Sequence, residues 1–155
     1  MEHPMSVGQF CNRDTITARK EDSIVKAAKL MRSHHVGCVI VVEEDAHGTD
    51  TPVGIITDRD LVIGILAKEL DPDKVTLGDI MSYELVTAHQ DDRLWDTLQR
   101  MRVKGVRRVP VVDRHGALKG ILTSDDLLEV LASEMNELAK LISREQLREI
   151  NTREE

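Results

Sequence analysis

A seven-residue pattern occurs twice in this chain, and its recurrence narrows the possible folds more than any other feature. Gly54-Ile-Ile-Thr-Asp-Arg-Asp60 returns as Gly120-Ile-Leu-Thr-Ser-Asp-Asp126, sixty-six positions later (Asp60 to Asp126). In each copy a short apolar strand runs into a threonine, and an aspartate three residues on falls in the first turn of a helix. The threonine can cap that helix from outside, and the aspartate is favoured at the positive end of the helix dipole. Capping accounts for one copy. Two copies, each closing a longer matched segment, point to an internal duplication.

The duplication begins near the N-terminus. Val7-Gly-Gln-Phe-Cys11 aligns with Leu77-Gly-Asp-Ile-Met81 at an offset of seventy (Val7 to Leu77), and Asp14-Thr-Ile-Thr17 aligns with Glu84-Leu-Val-Thr87 at the same offset. Ile24, Ala27, Ala28, Leu30 and Met31 follow a helical period, as do Leu94, Trp95, Leu98 and Met101. Asp22 and Ser23 are expected to cap the first of these helices, Asp91 and Asp92 the second. Two runs of buried-strand character follow, Val36–Val42 and Val106–Val112. The offset then falls to sixty-six, so the first half holds four extra residues, expected in a polar hairpin loop over Glu43–Pro52. Asp113-Arg-His-Gly116 predicts a tighter turn in the second half, with Gly116 at positive φ. Helices are predicted over Asp60–Lys68 and over Asp126–Ala139, the latter extending to about Arg148.

Each half therefore reads as strand, helix, strand, strand, helix. A unit of that size buries too little alone, so the two halves are expected to pack sheet against sheet in an α+β fold. The expected boundaries are residues 7–70 for the first repeat and 71–133 for the second, linked through Glu69–Lys74. Residues 134–155 form an amphipathic helix and tail that carries Leu138, Leu141, Ile142, Leu147 and Ile150. That helix either packs back on the body or makes a dimer contact.

Charge and composition exclude several functions. A formal net charge of −7 argues against bulk nucleic-acid binding, which depends on Lys and Arg to neutralise phosphates. Phe10, Tyr83 and Trp95 are the only aromatic residues, too few for a stacking platform. Two cysteines make neither a disulfide framework nor a zinc pattern, and the six histidines have no carboxylate or cysteine at ligand spacing. The longest apolar runs fall far short of a membrane span, and no signal peptide is evident at the N-terminus. A cytoplasmic protein is expected. No nucleophile–base pair, paired catalytic carboxylates or Gly-rich phosphate loop is present, so no enzyme and no catalytic cofactor is expected.

The two Gly-Ile-(Ile/Leu)-Thr-x-x-Asp segments, Gly105-Val-Arg-Arg-Val-Pro-Val-Val-Asp113 and Gly78-Asp-Ile-Met81 together resemble a tandem pair of CBS (cystathionine β-synthase) domains, a Bateman module. The resemblance covers about Val7 to Leu131. It implies two pseudo-symmetric repeats meeting in a disc, with a cleft on each side for an adenine nucleotide: AMP, ADP or ATP, or alternatively NAD or S-adenosylmethionine. It also implies a standalone sensor that forms a homodimer and regulates an unknown partner protein, or an adaptor that has lost ligand binding.

A ribose presents two adjacent hydroxyls, and an ionised carboxylate can accept both of their hydrogen bonds. Asp60 and Asp126 match the family's ribose-binding aspartate, and Thr57 and Thr123 can bond the ribose or α-phosphate. The family's base pocket maps to Cys11 and Ile16 in the first half and to Met81 and Val86 in the second. The backbone around Ile16-Thr17 and Val86-Thr87 would read the adenine edge, and Val36 and Val106 would add apolar wall. Most of these residues would be core with or without a ligand. Arg107 and Arg108 sit where the family places phosphate-binding bases, whereas their repeat partners Gly37 and Cys38 carry no charge. Arg59 is a third candidate, aligned with Ser124. The two clefts are therefore expected to be unequal. Cys11 and Cys38 are expected to be small buried residues, and Trp95 to serve in the core or at a dimer surface.

Overall fold

The computed structural model describes residues 5–153, so the first four residues and the last two of the tail lie outside the described residues. The element order is α1 (Val7–Phe10), β1 (Thr17–Ala18), α2 (Ile24–His34), β2 (Cys38–Glu44), β3 (Asp50–Thr57) and α3 (Asp58–Leu61), which continues as a π-helical turn over Val62–Leu66. The second half follows with α4 (Leu77–Ile80), β4 (Ala88–His89), α5 (Leu94–Lys104), β5 (Arg108–Val112), β6 (Leu118–Thr123) and α6 (Ser124–Arg153). Among the described residues, no helix is long and apolar enough to cross a membrane.

Each half holds a three-stranded sheet, β1-β2-β3 or β4-β5-β6, with the first pair parallel and the second antiparallel. Alternation along β2 explains its unbroken apolar run. Val39 and Val41 face helix residues Ile24, Ala27 and Met31, while Ile40 and Val42 join Ile121 of the other half. Ile40, Val42 and Ile121, flanked by Cys38, Ile55 and Leu118, are the apolar seam between the sheets. The α+β architecture and its internal symmetry are those expected.

The two cores exchange their entry segments. Leu77 and Met81, which precede the second sheet in sequence, pack in the core of the first half beside Val39 and Ile56. Val7 packs in the core of the second half with Leu94, Val109 and Leu122. Backbone hydrogen bonds fix the exchange: Val7 N–H donates to Asp92 O (2.9 Å) and Gly8 N–H to Gln90 O (2.8 Å), mirrored by Leu77 N–H to Asp22 O (2.9 Å) and Gly78 N–H to Lys20 O (3.0 Å). Asn12 then pairs with Ile121 on β6 in both directions, at 2.9 and 2.8 Å. The halves are thus tied by backbone pairing as well as by the apolar seam.

Several local details differ from the sequence expectations. Ser23 caps α2, accepting from Lys26 N–H at 3.1 Å. Its repeat partner Arg93 caps α5 without a side-chain acceptor, and Asp92 instead accepts from His89 N–H and from Arg100. The long hairpin loop shrinks to residues 45–49, because β2 runs on through Glu44 and Pro52 is accommodated next to a register shift at Val41/Val42. Gly116 has the expected positive φ, 81°. His35 occupies the left-handed region at φ 54°, where the second half uses Gly105 at 66°.

The helix predicted over Asp60–Lys68 becomes α3 plus the π-helical turn. Gly64 stands at the repeat position of Val130, a buried core residue. The wider turn brings Ile65 (1 % exposed) into the core in its place. The helix predicted from Asp126 is one continuous element of thirty residues, and beyond Val130 every described residue of it is exposed. Of the two alternatives for the tail, packing back on the body does not occur.

Candidate functional site

Both copies of the seven-residue pattern form reciprocal caps. Thr57 N–H donates to Asp60 Oδ2 (2.8 Å), and Asp60 N–H donates to Thr57 Oγ1 (3.2 Å). Thr123 N–H donates to Asp126 Oδ2 (2.8 Å), its hydroxyl donates to the same oxygen (2.9 Å), and Asp126 N–H returns a bond to Thr123 Oγ1 (3.2 Å). The cap satisfies amide groups that a helix start would otherwise leave open. Every one of these carboxylate bonds falls on Oδ2, so capping leaves Oδ1 of each aspartate available. Capping and ligand binding are compatible at one residue.

Around Asp126 the chain builds a cleft of about 270 Å³ between the halves. Asp126, Asp125 and Thr123 enter from the start of α6 and the end of β6. Ile121 and Arg108 come from the second sheet; Val36, Gly37, Cys38 and Ile40 come from the first half. The segment Asn12, Asp14, Thr15 and Ile16 closes one wall. The cleft is thus composite: a carboxylate and a guanidinium from one half face apolar side chains of the other. Such a mixture of apolar wall and few convergent polar groups is the usual make-up of a small-molecule site.

Strand alternation separates the two arginines. Arg108 pairs with Thr123 at the start of β5 and lines the cleft, whereas Arg107, one residue earlier, is exposed and does not line it. Gly37 lies beside both charged groups: a β-carbon there would stand in ordinary contact, 3.5 Å from Arg108 Nη2 and 3.4 Å from Asp58 Oδ2. Cys38, beside them, has its thiol pKa pushed up by burial, with Arg108 opposing and Asp58 adding to the shift. Burial likewise raises Cys11, opposed by Arg13, and the Asp126 charge adds to the shift. Both thiols are therefore protonated and poorly nucleophilic at neutral pH.

The remaining candidates are placed as follows. Ile16 and Val36 line the Asp126 cleft, while Thr17 sits in β1 opposite Ile40. Cys11 is half-buried at the edge of the second core, its sulfur against Gly120. Met81 is buried in the first core against Gly54. Asp60 and Arg59 line a separate depression of about 540 Å³ with Lys68, Val75 and Asp79. Val86 and Val106 line an open groove of about 1210 Å³ along α5 with Asp92, Arg93 and Arg100. Thr57 and Thr87 are half-buried. The structure gathers Asp126, Thr123, Arg108, Ile16 and Val36 in one cleft and does not gather their counterparts Asp60, Val86 and Val106 in another. It adds Asn12, Asp14, Cys38, Ile121 and Asp125, which the sequence reading did not select. Asp14 lay inside a repeated segment, so that repeat was the signal that could have found it.

The profile of the CBS domain matches residues 7–67 and 77–133. Protein MK0525 of Methanopyrus kandleri is 41 % identical over 126 residues, 81 % of this chain and 62 % of its own length. L-aspartate semialdehyde sulfurtransferase of Methanocaldococcus jannaschii is 34 % identical over 128 residues, only 23 % of its own length. This chain thus spans less than two thirds of either relative. Among solved structures, the CBS domain pair of protein MJ0100, in complex with 5′-methylthioadenosine and S-adenosyl-L-methionine, superposes with a TM-score of 0.72 at 32 % identity. That likeness covers 84 % of this chain and 99 % of the other. Repeated motif, exchanged cores, paired sheets and profile agree: the chain belongs to the CBS domain family, as a tandem pair.

Proposed function

We propose that this protein is a regulatory module that binds an adenosine-containing ligand in the Asp126 cleft and signals to a partner protein by changing conformation. The observation that carries the proposal is the convergence of Asp126, Thr123 and Arg108 on one cleft walled by Ile16, Val36 and Ile121. Asp126 Oδ1 would accept from the ribose hydroxyls, the apolar residues would hold the adenine faces, and Arg108 would meet the 5′ substituent. AMP, ADP or ATP would use the guanidinium as its phosphate partner. Signalling requires that the ligand bind one of two conformations better than the other. Ligands bridging the two halves do so when the halves reorient.

A second reading has the same adenosine contacts and a different 5′ group. Arg108 is the single cation lining the cleft among the described residues, against the carboxylates of Asp14, Asp125 and Asp126. That balance favours a ligand with little negative charge, such as 5′-methylthioadenosine or the cationic S-adenosylmethionine, over a triphosphate. The ligands of the MJ0100 pair point the same way.

Thermal unfolding with AMP, ATP, NAD, 5′-methylthioadenosine and S-adenosylmethionine in parallel separates the readings. A ligand at a hundred times its dissociation constant stabilises the folded state by about 2.7 kcal/mol. Stabilisation by AMP or ATP alone supports the nucleotide reading, and by the sulfur-containing ligands alone the second. An unmoved transition with all five would leave a structural adaptor as the better account.

A further inference from the structure

The duplication places Arg108 opposite Cys38 and Asp58 opposite Ser124, so only one of the two copies of this corner carries charge. In that copy a cation of the second half and an anion of the first come to the same glycine. Neither side chain takes part in an ion pair among the described residues. Each is thus without a close counter-charge of its own.

Local bonding fixes the Asp58 carboxylate. Asp58 N–H donates to Gly37 O (3.0 Å), which ties the first residue of α3 to the entry of β2. Asp58 Oδ1 accepts from Arg59 N–H (2.8 Å), and Oδ2 is the oxygen turned toward Gly37. Arg108 Nη2 reaches that glycine from β5 of the other half. A β-carbon on Gly37 would touch both groups, so they stand within about 7 Å of each other, a range over which opposite charges attract appreciably in partly water-excluded surroundings. Cys38 lies beside them. Burial dominates its thiol, and Arg108 and Asp58 act on it with opposite signs.

The two charges stand differently toward the cleft. Arg108 lines it, together with Asp14, Asp125 and Asp126, whereas Asp58 does not. Those three aspartates can act on a bound ligand directly. Asp58 reaches the site only through the guanidinium. A guanidinium drawn toward Asp58 is to that extent withheld from a phosphate in the cleft.

We propose that Asp58 is a specificity-determining residue of the Asp126 cleft: from the first half it competes with the 5′ phosphate of a ligand for Arg108, and so lowers the preference for AMP over adenosine. The inference rests on the reading of that cleft as an adenosine site.

Calorimetric titration of the full chain with AMP and with adenosine tests it. Asp58→Asn keeps the shape of the side chain and the oxygen that accepts from Arg59. It should strengthen AMP about threefold, the scale of a partly exposed charge pair, and change adenosine by less than about 1.5-fold. In an Arg108→Ala background the same substitution should leave AMP within about 1.5-fold, because the competition has lost its object. If Asp58→Asn strengthens both ligands equally, or still strengthens AMP without Arg108, the proposal is overturned while the adenosine site stands. If neither ligand binds the wild type, the reading of the cleft fails and the proposal with it. The charges can also be probed without ligand through Cys38, with Cys11 as the internal reference. Asp58→Asn should speed the reaction of Cys38 with a disulfide reagent about twofold, and Arg108→Gln should slow it about twofold. Unchanged rates in both variants would show that the two charges do not meet beside Gly37, which overturns the proposal independently of any ligand.

Discussion

Met81 crosses Gly54 so closely that a β-carbon at position 54 would lie 2.6 Å from its sulfur. The second half repeats the relationship with different atoms: a β-carbon on Gly120 would lie 2.7 Å from Cys11 Sγ and 2.7 Å from Asn12 O. The glycine that opens each seven-residue pattern is thus explained by the exchanged segment passing over it, and by no special φ. The obstacle differs in rigidity. Met81 can shift its flexible side chain, whereas Asn12 O is held by Ile121 N–H at 2.8 Å. Gly120→Ala is expected to destabilise by about 2–3 kcal/mol and Gly54→Ala by about 1 kcal/mol, in line with overpacked cores. Urea unfolding of the two variants checks the order. Equal losses would mean that the exchanged segments yield equally.

Asp126 is asked to cap a helix and to hold a ribose, and substitution separates the tasks. Asp126→Asn should weaken an adenosine ligand by about 10- to 100-fold, the range of a lost charge-assisted hydrogen bond. Its cost in stability should stay near 1 kcal/mol, because the amide oxygen can still cap and only the dipole interaction is lost. Asp60→Asn should cost similar stability and leave affinity at the Asp126 cleft unchanged. Calorimetric titration and thermal unfolding of both variants give the four numbers required.

The two adjacent arginines are predicted to differ. Arg108 lines the cleft and Arg107 is exposed outside it. Arg108→Ala should weaken AMP by about tenfold while changing adenosine little, a difference of about 1.4 kcal/mol that belongs to the phosphate contact. Arg107→Ala should change both ligands by less than about twofold. If Arg108→Ala weakens adenosine as much as AMP, the guanidinium shapes the cleft and does not meet phosphate.

The thiols report on occupancy and on pH. Burial raises the pKa of both Cys11 and Cys38 above the ordinary thiol value of 9.0. The stability linked to these protonated thiols is complete below that ordinary value and is lost as pH rises through the higher folded-state values. Reaction with a disulfide reagent should therefore be slow at pH 7 and accelerate only in alkali, more slowly than for the unfolded chain. Cys38 lines the cleft and Cys11 does not, so a bound adenosine ligand should slow Cys38 further and leave Cys11 nearly unchanged. Equal protection would indicate a global tightening.

Much of this architecture is legible in sequence order because it is local. The period of Ile24, Ala27 and Met31 specifies an amphipathic helix, Thr123 and Asp126 specify a cap, and Gly116 specifies a left-handed turn, each through interactions within a few residues. The repeat offsets add the pairing of halves, since two such small sheets each need an apolar cover. Some local rules still misled. Asp92 was expected to cap α5 and instead serves His89 and Arg100, because the preceding turn competes for the same carboxylate. Offsets likewise could not reveal that Gly64 would be replaced in the core by Ile65 through a wider helical turn.

The sequence by itself determined that there are two matched halves, which strands and helices each contains, and that an aspartate and a threonine start the final helix of each. Only the tertiary structure decided that Val7 and Leu77 serve the opposite core, and that Arg108 and Asp126 line one cleft walled by Ile16 and Val36 while Arg107 does not. It also decided that α6 leaves the body. The physical reason is range. Periodicity and caps are set by neighbours along the chain, whereas a cleft between halves, an exchanged segment and an uncovered apolar seam exist only through contacts between residues far apart in sequence.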